Sequence, residues 1–253
     1  MNILSRPPLG VLRQFARAAF ADRLFGDEMM RMTMARVDID PTSSSASAVD
    51  LVTAFVGSWR EALRVEAGTA KPAPFSDASL LDALPRPPSD RRIVLLLVDV
   101  LGFSIAEAGR IVGSDEPGRL IGEARKELAV QADASALVIE DEPLIAADLR
   151  AILELLGVTV AAEARNAPDA VRLAGEVKPG VILTDYNLDG RATGIDAAVQ
   201  IEAAHECPVI FITGYPDRVL QGEEIEPDFV ISKPYSADAV RAAVVHCLDA
   251  RRG

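Results

Sequence analysis

The sequence predicts a multi-domain chain: an all-α N-terminal region followed by a doubly wound α/β domain on a five-stranded parallel sheet. Three observations predict it. Apolar residues recur at helical spacing through the first 130 residues. From Ser135 onward, short β-rich runs alternate five times with amphipathic stretches. The charge also changes: residues 1–133 carry 16 Lys+Arg against 18 Asp+Glu, and residues 134–253 carry 10 against 20, so the second half holds most of the net charge of -12. So acidic a chain is a poor general binder of nucleic acid or anionic membrane.

In order, Leu9, Leu12, Phe15, Ala16, Ala19, Phe20 and Leu24 line one face of a helix over 9–25, which Gly26 and Asp27 are expected to end. A methionine-rich helix (Met29, Met30, Met32, Met34) follows and stops before Asp40-Pro41. A Ser-rich stretch then leads into a third helix reaching Glu66, in which the lone Trp59 reads as core. Residues 67–76, with Pro85, Pro87 and Pro88 beyond them, read as a linker with short structure. Ser89 or Asp90 caps the next helix, with Ile93, Leu96, Leu97, Val100 and Leu101 inward and Gly102 at its end. Ser104 and Glu107 form a capping box, and Gly113-Ser114 turns into a last helix from about Glu116 to Leu128. Helix, turn and helix at this spacing suggest a tri-helical helix-turn-helix unit. The expected division is 1–66, linker 67–76, 77–130 and 135–253.

The α/β part reads as ALVI and a helix over 143–156, VTVAA and 167–176, VILTD and 194–204, PVIFIT and 216–222, DFVIS and 236–250. Strands so connected form a parallel sheet with right-handed crossovers, and ligand chemistry belongs at their carboxyl ends. Polar residues stand there: Glu140 and Asp141 after the first strand, Asp185 at the third, Thr213 at the fourth and Lys233 at the fifth. Three carboxylates on one rim repel one another unless a cation and a fixed ammonium offset them, and all-oxygen ligands with room for water suit Mg²⁺. Glu140, Asp141 and Asp185, with the backbone carbonyl of Asn187, are therefore assigned to the metal shell. Asp185 is also the nucleophile toward a phosphoryl group, and Lys233 the neutraliser of its oxygens. Thr213, followed by Gly214, supplies a hydroxyl able to swing onto a phosphoryl oxygen, and Lys233-Pro234 suits a cis peptide. Cys207 and Cys247 follow no ligand or disulfide spacing and read as packing residues. No run of eighteen apolar residues and no signal-peptide pattern in MNILSRPPLG is found, so a cytoplasmic protein is expected.

Glu140-Asp141, Asp185, Thr213 and Lys233-Pro234 resemble, in order, the acidic pair, phosphoacceptor, switch hydroxyl and lysine of response-regulator receivers (CheY-like, flavodoxin-like fold), over about residues 135–250. Val230 stands where that family often carries a switch aromatic. Phe211-Ile212-Thr213-Gly214-Tyr215 instead resembles a subgroup in which Tyr215 couples the pocket to the surface. Arg91–Gly113 is similar to the region-4 signature of extracytoplasmic-function sigma factors, with a region-2-like bundle before it.

Sigma-like region first and receiver last resembles the PhyR-type general stress response regulators of alphaproteobacteria. The resemblance implies a two-component phosphoprotein with no enzyme activity toward an outside substrate. A sensor histidine kinase would phosphorylate Asp185 and loosen an intramolecular contact between receiver and sigma-like region. That region would then capture an anti-sigma factor (NepR-type) and free a sigma factor. The chain would act as an anti-anti-sigma factor by partner switching. DNA is not an expected partner, because Asp115 and Glu116 open the last helix where a reader of phosphate needs basic or neutral groups. The alternative is a DNA-binding response regulator or a phosphorylation-gated sigma factor.

Overall fold

The computed structural model describes residues 8–20, 23–36, 47–66, 89–128, 134–190, 192–220 and 227–250. The expected linker 67–76, Asp40-Pro41 and Pro85, Pro87 and Pro88 lie outside the described residues. Contacts group the chain into two compact units, Met1–Ala124 and Arg125–Gly253.

The first unit holds α1 (Pro8–Phe20), α2 (Arg23–Arg36) and α3 (Ala48–Glu66), then α4 (Asp90–Leu95, continued by a π turn over Leu96–Val100), α5 (Ile105–Val112) and α6 (Pro117–Glu127), whose last residues pass the unit boundary. The helix expected over 9–25 ends at Phe20, and Gly26 and Asp27 lie inside α2 rather than breaking the chain. A helical glycine costs only about 1 kcal/mol, and Gly26 is buried, so burial outweighs propensity there. Val11, Leu12, Phe15 and Ala16 of α1 and Leu51, Phe55 and Trp59 of α3 are buried in the core, where the two helices pack together. Phe55 packs edge-on against Phe15 at 5.7 Å and against Trp59 at 6.2 Å, the geometry that aromatic quadrupoles favour. Arg60 ties α3 to its neighbours, donating to the Val112 carbonyl at 3.0 Å and to Asp90 at 2.6 Å.

Ser89, rather than Asp90, caps α4, its hydroxyl accepting from the Arg92 N–H. Leu101 N–H reaches back to the Leu96 carbonyl at 2.9 Å, and this wider turn lets Leu96, Leu97, Val100 and Leu101 all enter the core. The Ser104–Glu107 capping box is closed from both sides. Gly113 ends α5 in the left-handed conformation (φ 73°), and a β-carbon at Gly109 would stand 2.8 Å from Pro117, so the turn is tight.

The second unit alternates strand and helix: β1 (Ser135–Ile139), α7 (Pro143–Leu156), β2 (Thr159–Ala164), α8 (Ala167–Val177), β3 (Val181–Thr184), α9 (Gly194–Ala204), β4 (Val209–Thr213), α10 (Pro216–Leu220), β5 (Phe229–Ser232) and α11 (Ala237–Ala250). All pairings are parallel, in the order β2-β1-β3-β4-β5. The strands β1, β3 and β4 are almost wholly buried apolar runs, as a sheet covered on both faces requires, whereas edge strand β2 alternates exposed and half-buried residues. Helices α7 and α11 pack together on one face and α8 and α9 on the other. Cys207 and Cys247 are both buried, and His246 packs edge-on against Phe229 at 5.5 Å.

Candidate functional site

This strand order reverses at β1, which neighbours β2 on one side and β3 on the other. A crevice therefore opens between the carboxyl ends of β1 and β3, uncovered by a crossover. The ladders run one residue past the strands into that crevice. Glu140 N–H donates to the Ala164 carbonyl at 2.9 Å and Asp185 N–H to the Ile139 carbonyl at 3.0 Å. On the far side, Lys233 N–H donates to the Thr213 carbonyl at 2.9 Å. The register set by the apolar strands thus delivers Glu140, Asp185 and Lys233 to one place.

Lys233 Nζ donates to Glu140 Oε2 at 2.9 Å and to Asp185 Oδ2 at 2.8 Å. Both carboxylates are buried, at 3% and 7% exposure. Burial would lower the lysine's pKa, but the hydrogen bonds and charges of Asp185 and Glu140 outweigh it and hold the ammonium above its ordinary value. Burial pushes the Glu140 carboxyl up despite Lys233, since Asp185 adds like charge beside it. Glu140, Asp141 and Asp185 each bring a carboxylate oxygen within 4.8 Å of the others, with Asp141 half-buried at the mouth. Hard oxygen donors, two seated and one reaching solvent, fit a Mg²⁺ ion that retains water.

Asp185 Oδ1 accepts the Tyr186 N–H at 2.5 Å. Thr213 is fully buried, and its hydroxyl oxygen accepts the Tyr215 N–H at 3.1 Å. A β-carbon at Gly214 would meet nothing within 4 Å, so space is open beside the threonine. The Tyr215 ring is half exposed, and the Arg218 guanidinium lies 5.1 Å from its centroid and 5.9 Å from that of Tyr186. Asn187 sits exposed in the loop two residues beyond Asp185. The Lys233-Pro234 peptide is cis. Val230 is buried in β5.

Sequence reasoning missed three features of this rim. Gly194 opens α9 directly over the aspartate: a β-carbon there would stand 1.8 Å from the Asp185 carbonyl oxygen and 2.7 Å from Thr184 Oγ1. The Thr193–Asp196 capping box beside it is a readable signal that helix starts there. Arg165, just past β2, donates to the Asp141 carbonyl at 2.9 Å. Tyr235 donates to Asp148 at 2.9 Å, and burial together with that bond raises its pKa. The last two join residues far apart in sequence and leave no local pattern.

The family described as the response regulator receiver domain matches residues 136–245. The phyllosphere-induced regulator PhyR of Methylorubrum extorquens is 36% identical over 247 residues, spanning 95% of this chain and 91% of that protein. The response regulator PhyR from Brucella abortus superposes with a TM-score of 0.74 at 31% identity, over 100% of this chain and 96% of that one. Anti-anti-sigma factor PhyR from Bartonella quintana does so at 0.75 and 31%, over 97% and 94%.

Proposed function

Because this chain belongs to the PhyR family of response regulators, we propose that it is a phosphorylation-activated anti-anti-sigma factor of the general stress response, switched at Asp185. The observation that carries this reading is the Lys233 ammonium held between Glu140 and Asp185, with Asp141 at the mouth of the same crevice. A carboxylate oxygen of Asp185 attacks phosphorus of a kinase phosphohistidine. The P–N bond breaks, its electron pair leaves with the imidazole, and an acyl phosphate forms. Glu140, Asp141, Asp185 and the Asn187 carbonyl would hold Mg²⁺, which would supply charge neutralisation for the transferred oxygens. Lys233 is already within reach of an Asp185 oxygen and neutralises the new group from the protein side. Thr213 turns its hydroxyl from the Tyr215 N–H to a phosphoryl oxygen, and Tyr215 carries that movement to the surface.

The modification replaces the single charge of the Asp185 carboxylate with a phosphoryl group carrying about -1.5 to -2, a net change of roughly -0.5 to -1, and makes the sigma-like helical region available to an anti-sigma factor of NepR type. The sigma factor set free from that partner then directs transcription of the stress genes. The reading assigns no turnover of an outside substrate, and a cytoplasmic location follows from the kinase and sigma-factor partners. Among the described residues no helix is long and apolar enough to cross a membrane. The DNA-binding alternative is disfavoured by Arg119 of α6, which is paired with Glu116 at 2.8 Å and Glu123 at 3.1 Å.

The test is capture of a NepR-type anti-sigma factor by wild type and Asp185→Ala, with and without acetyl phosphate and Mg²⁺, alongside Phos-tag gels. Capture is expected to need both phosphodonor and Asp185. A well-folded wild type that never gains a phosphate on Asp185 would defeat the reading.

A further inference from the structure

We propose that Arg165 is a positioning residue for the magnesium site, clamping together the two loops that carry its ligands. The inference rests on Glu140, Asp141 and Asp185 being that site. Four contacts come from Ala164 and Arg165 at the end of β2. The Ala164 carbonyl accepts the Glu140 N–H at 2.9 Å. Arg165 Nη2 donates to the Asp141 carbonyl at 2.9 Å. The Arg165 carbonyl accepts the Asp189 N–H at 3.2 Å, while its guanidinium lies 3.4 Å from Asp189 Oδ2. One residue thereby joins the loop after β1, which bears Glu140 and Asp141, to the loop after β3, which follows Asp185 and contains Asn187.

The ion pair with Asp189 is about 60% exposed on both sides, and pairs so exposed contribute little to stability. What the contact does is geometric. It holds the Asp141 backbone, and with it the half-buried carboxylate that completes the oxygen set. Groups that orient ligands from outside the coordination sphere affect metal affinity by about 10- to 100-fold, and an exposed clamp falls at or below the low end of that range.

Charge and position predict opposite signs, and this separates them. A guanidinium near a divalent cation repels it, so if Arg165 acted only as a charge its removal would tighten Mg²⁺ binding. As a clamp, its removal loosens binding. The experiment is isothermal titration of the full chain with Mg²⁺ for wild type, Arg165→Ala, Arg165→Met and Arg165→Lys, with circular dichroism in chelator to check the fold. Arg165→Met keeps the apolar stem should Arg165→Ala lose structure. Both are expected to raise the Mg²⁺ Kd about 3- to 10-fold, with Arg165→Lys between them and wild type. At saturating Mg²⁺ the labelling rate with acetyl phosphate returns to the wild-type value. Unchanged or tighter binding in the Ala and Met variants overturns the clamp while wild-type binding preserves the site. Absence of saturable Mg²⁺ binding in wild type overturns the site and the clamp together.

Discussion

Lys233 is held by two carboxylates in a pocket that penalises all three charges, so its neighbours decide its titration. The ammonium keeps its proton more tightly in the folded chain than in the unfolded one. Its contribution to stability is therefore complete below about pH 10.4, the ordinary lysine value, and is lost as pH rises through the higher folded value. In chelator, urea midpoints followed from about pH 9 to about pH 11.5 should fall more steeply for wild type than for Lys233→Met. The same variant leaves Glu140 and Asp185 facing each other without a cation, and should be destabilised by roughly 2 to 4 kcal/mol near neutral pH, somewhat below the range for breaking a fully buried pair. Gly194 offers a second test at this scale, because two principles predict opposite signs. Helix propensity favours alanine by about 1 kcal/mol, yet the new β-carbon would collide with the Asp185 carbonyl, a backbone atom unable to yield cheaply. Gly194→Ala is expected to destabilise the receiver by about 1 to 3 kcal/mol or more, read as a lower thermal midpoint. Gly214→Ala, which enters open space, should shift stability by less than about 0.5 kcal/mol.

At the scale of elements, caps and apolar period are what make the helices readable. The helices over 143–156 and 194–204 have the same bounds in the sequence pattern and in the structure. The first is closed by the left-handed Gly157 and the second opened by the Thr193–Asp196 box, both strong local signals. The break expected at Gly26 fails because a single glycine is a weak signal against tertiary packing. The π turn at Leu96–Val100 is hidden for a related reason: a pattern of apolar residues records which side chains are inward, not how many residues the turn uses. The Ser104 cap is testable on its own. Its hydroxyl accepts the Glu107 N–H at 3.2 Å while Glu107 holds the Ser104 N–H at 2.8 Å. Ser104→Ala should therefore lower the stability of the helical unit by about 1 kcal/mol, measured by denaturant unfolding.

At the scale of the molecule, the acidic balance sits mainly in the second half of the chain, which also bears the proposed phosphoacceptor Asp185. Moving a closed population to an open one, from about 1:99 to about 99:1, requires on the order of 5.5 kcal/mol of differential interaction. Under the proposed function, an acyl phosphate and an anti-sigma partner that binds the open state would supply it jointly. Fluorescence anisotropy with promoter DNA should accordingly show no salt-steep binding in either phosphorylation state. A slope of log affinity against log salt typical of several phosphate contacts would instead favour the DNA-binding alternative.

Strand-and-helix alternation, the carboxylates and lysine at the ends of the first, third and fifth strands, and the acidic balance are properties of local order along the chain, and the sequence by itself determined them. Each strand's apolar run must stop where its buried span stops, so the polar residue after it marks the sheet's rim. Tertiary structure alone decided that Arg165 reaches Asp141, that Gly194 lies against the Asp185 carbonyl and that Tyr235 meets Asp148. These contacts depend on how strands order and helices pack, and no spacing between neighbours in the chain encodes a distance across a sheet.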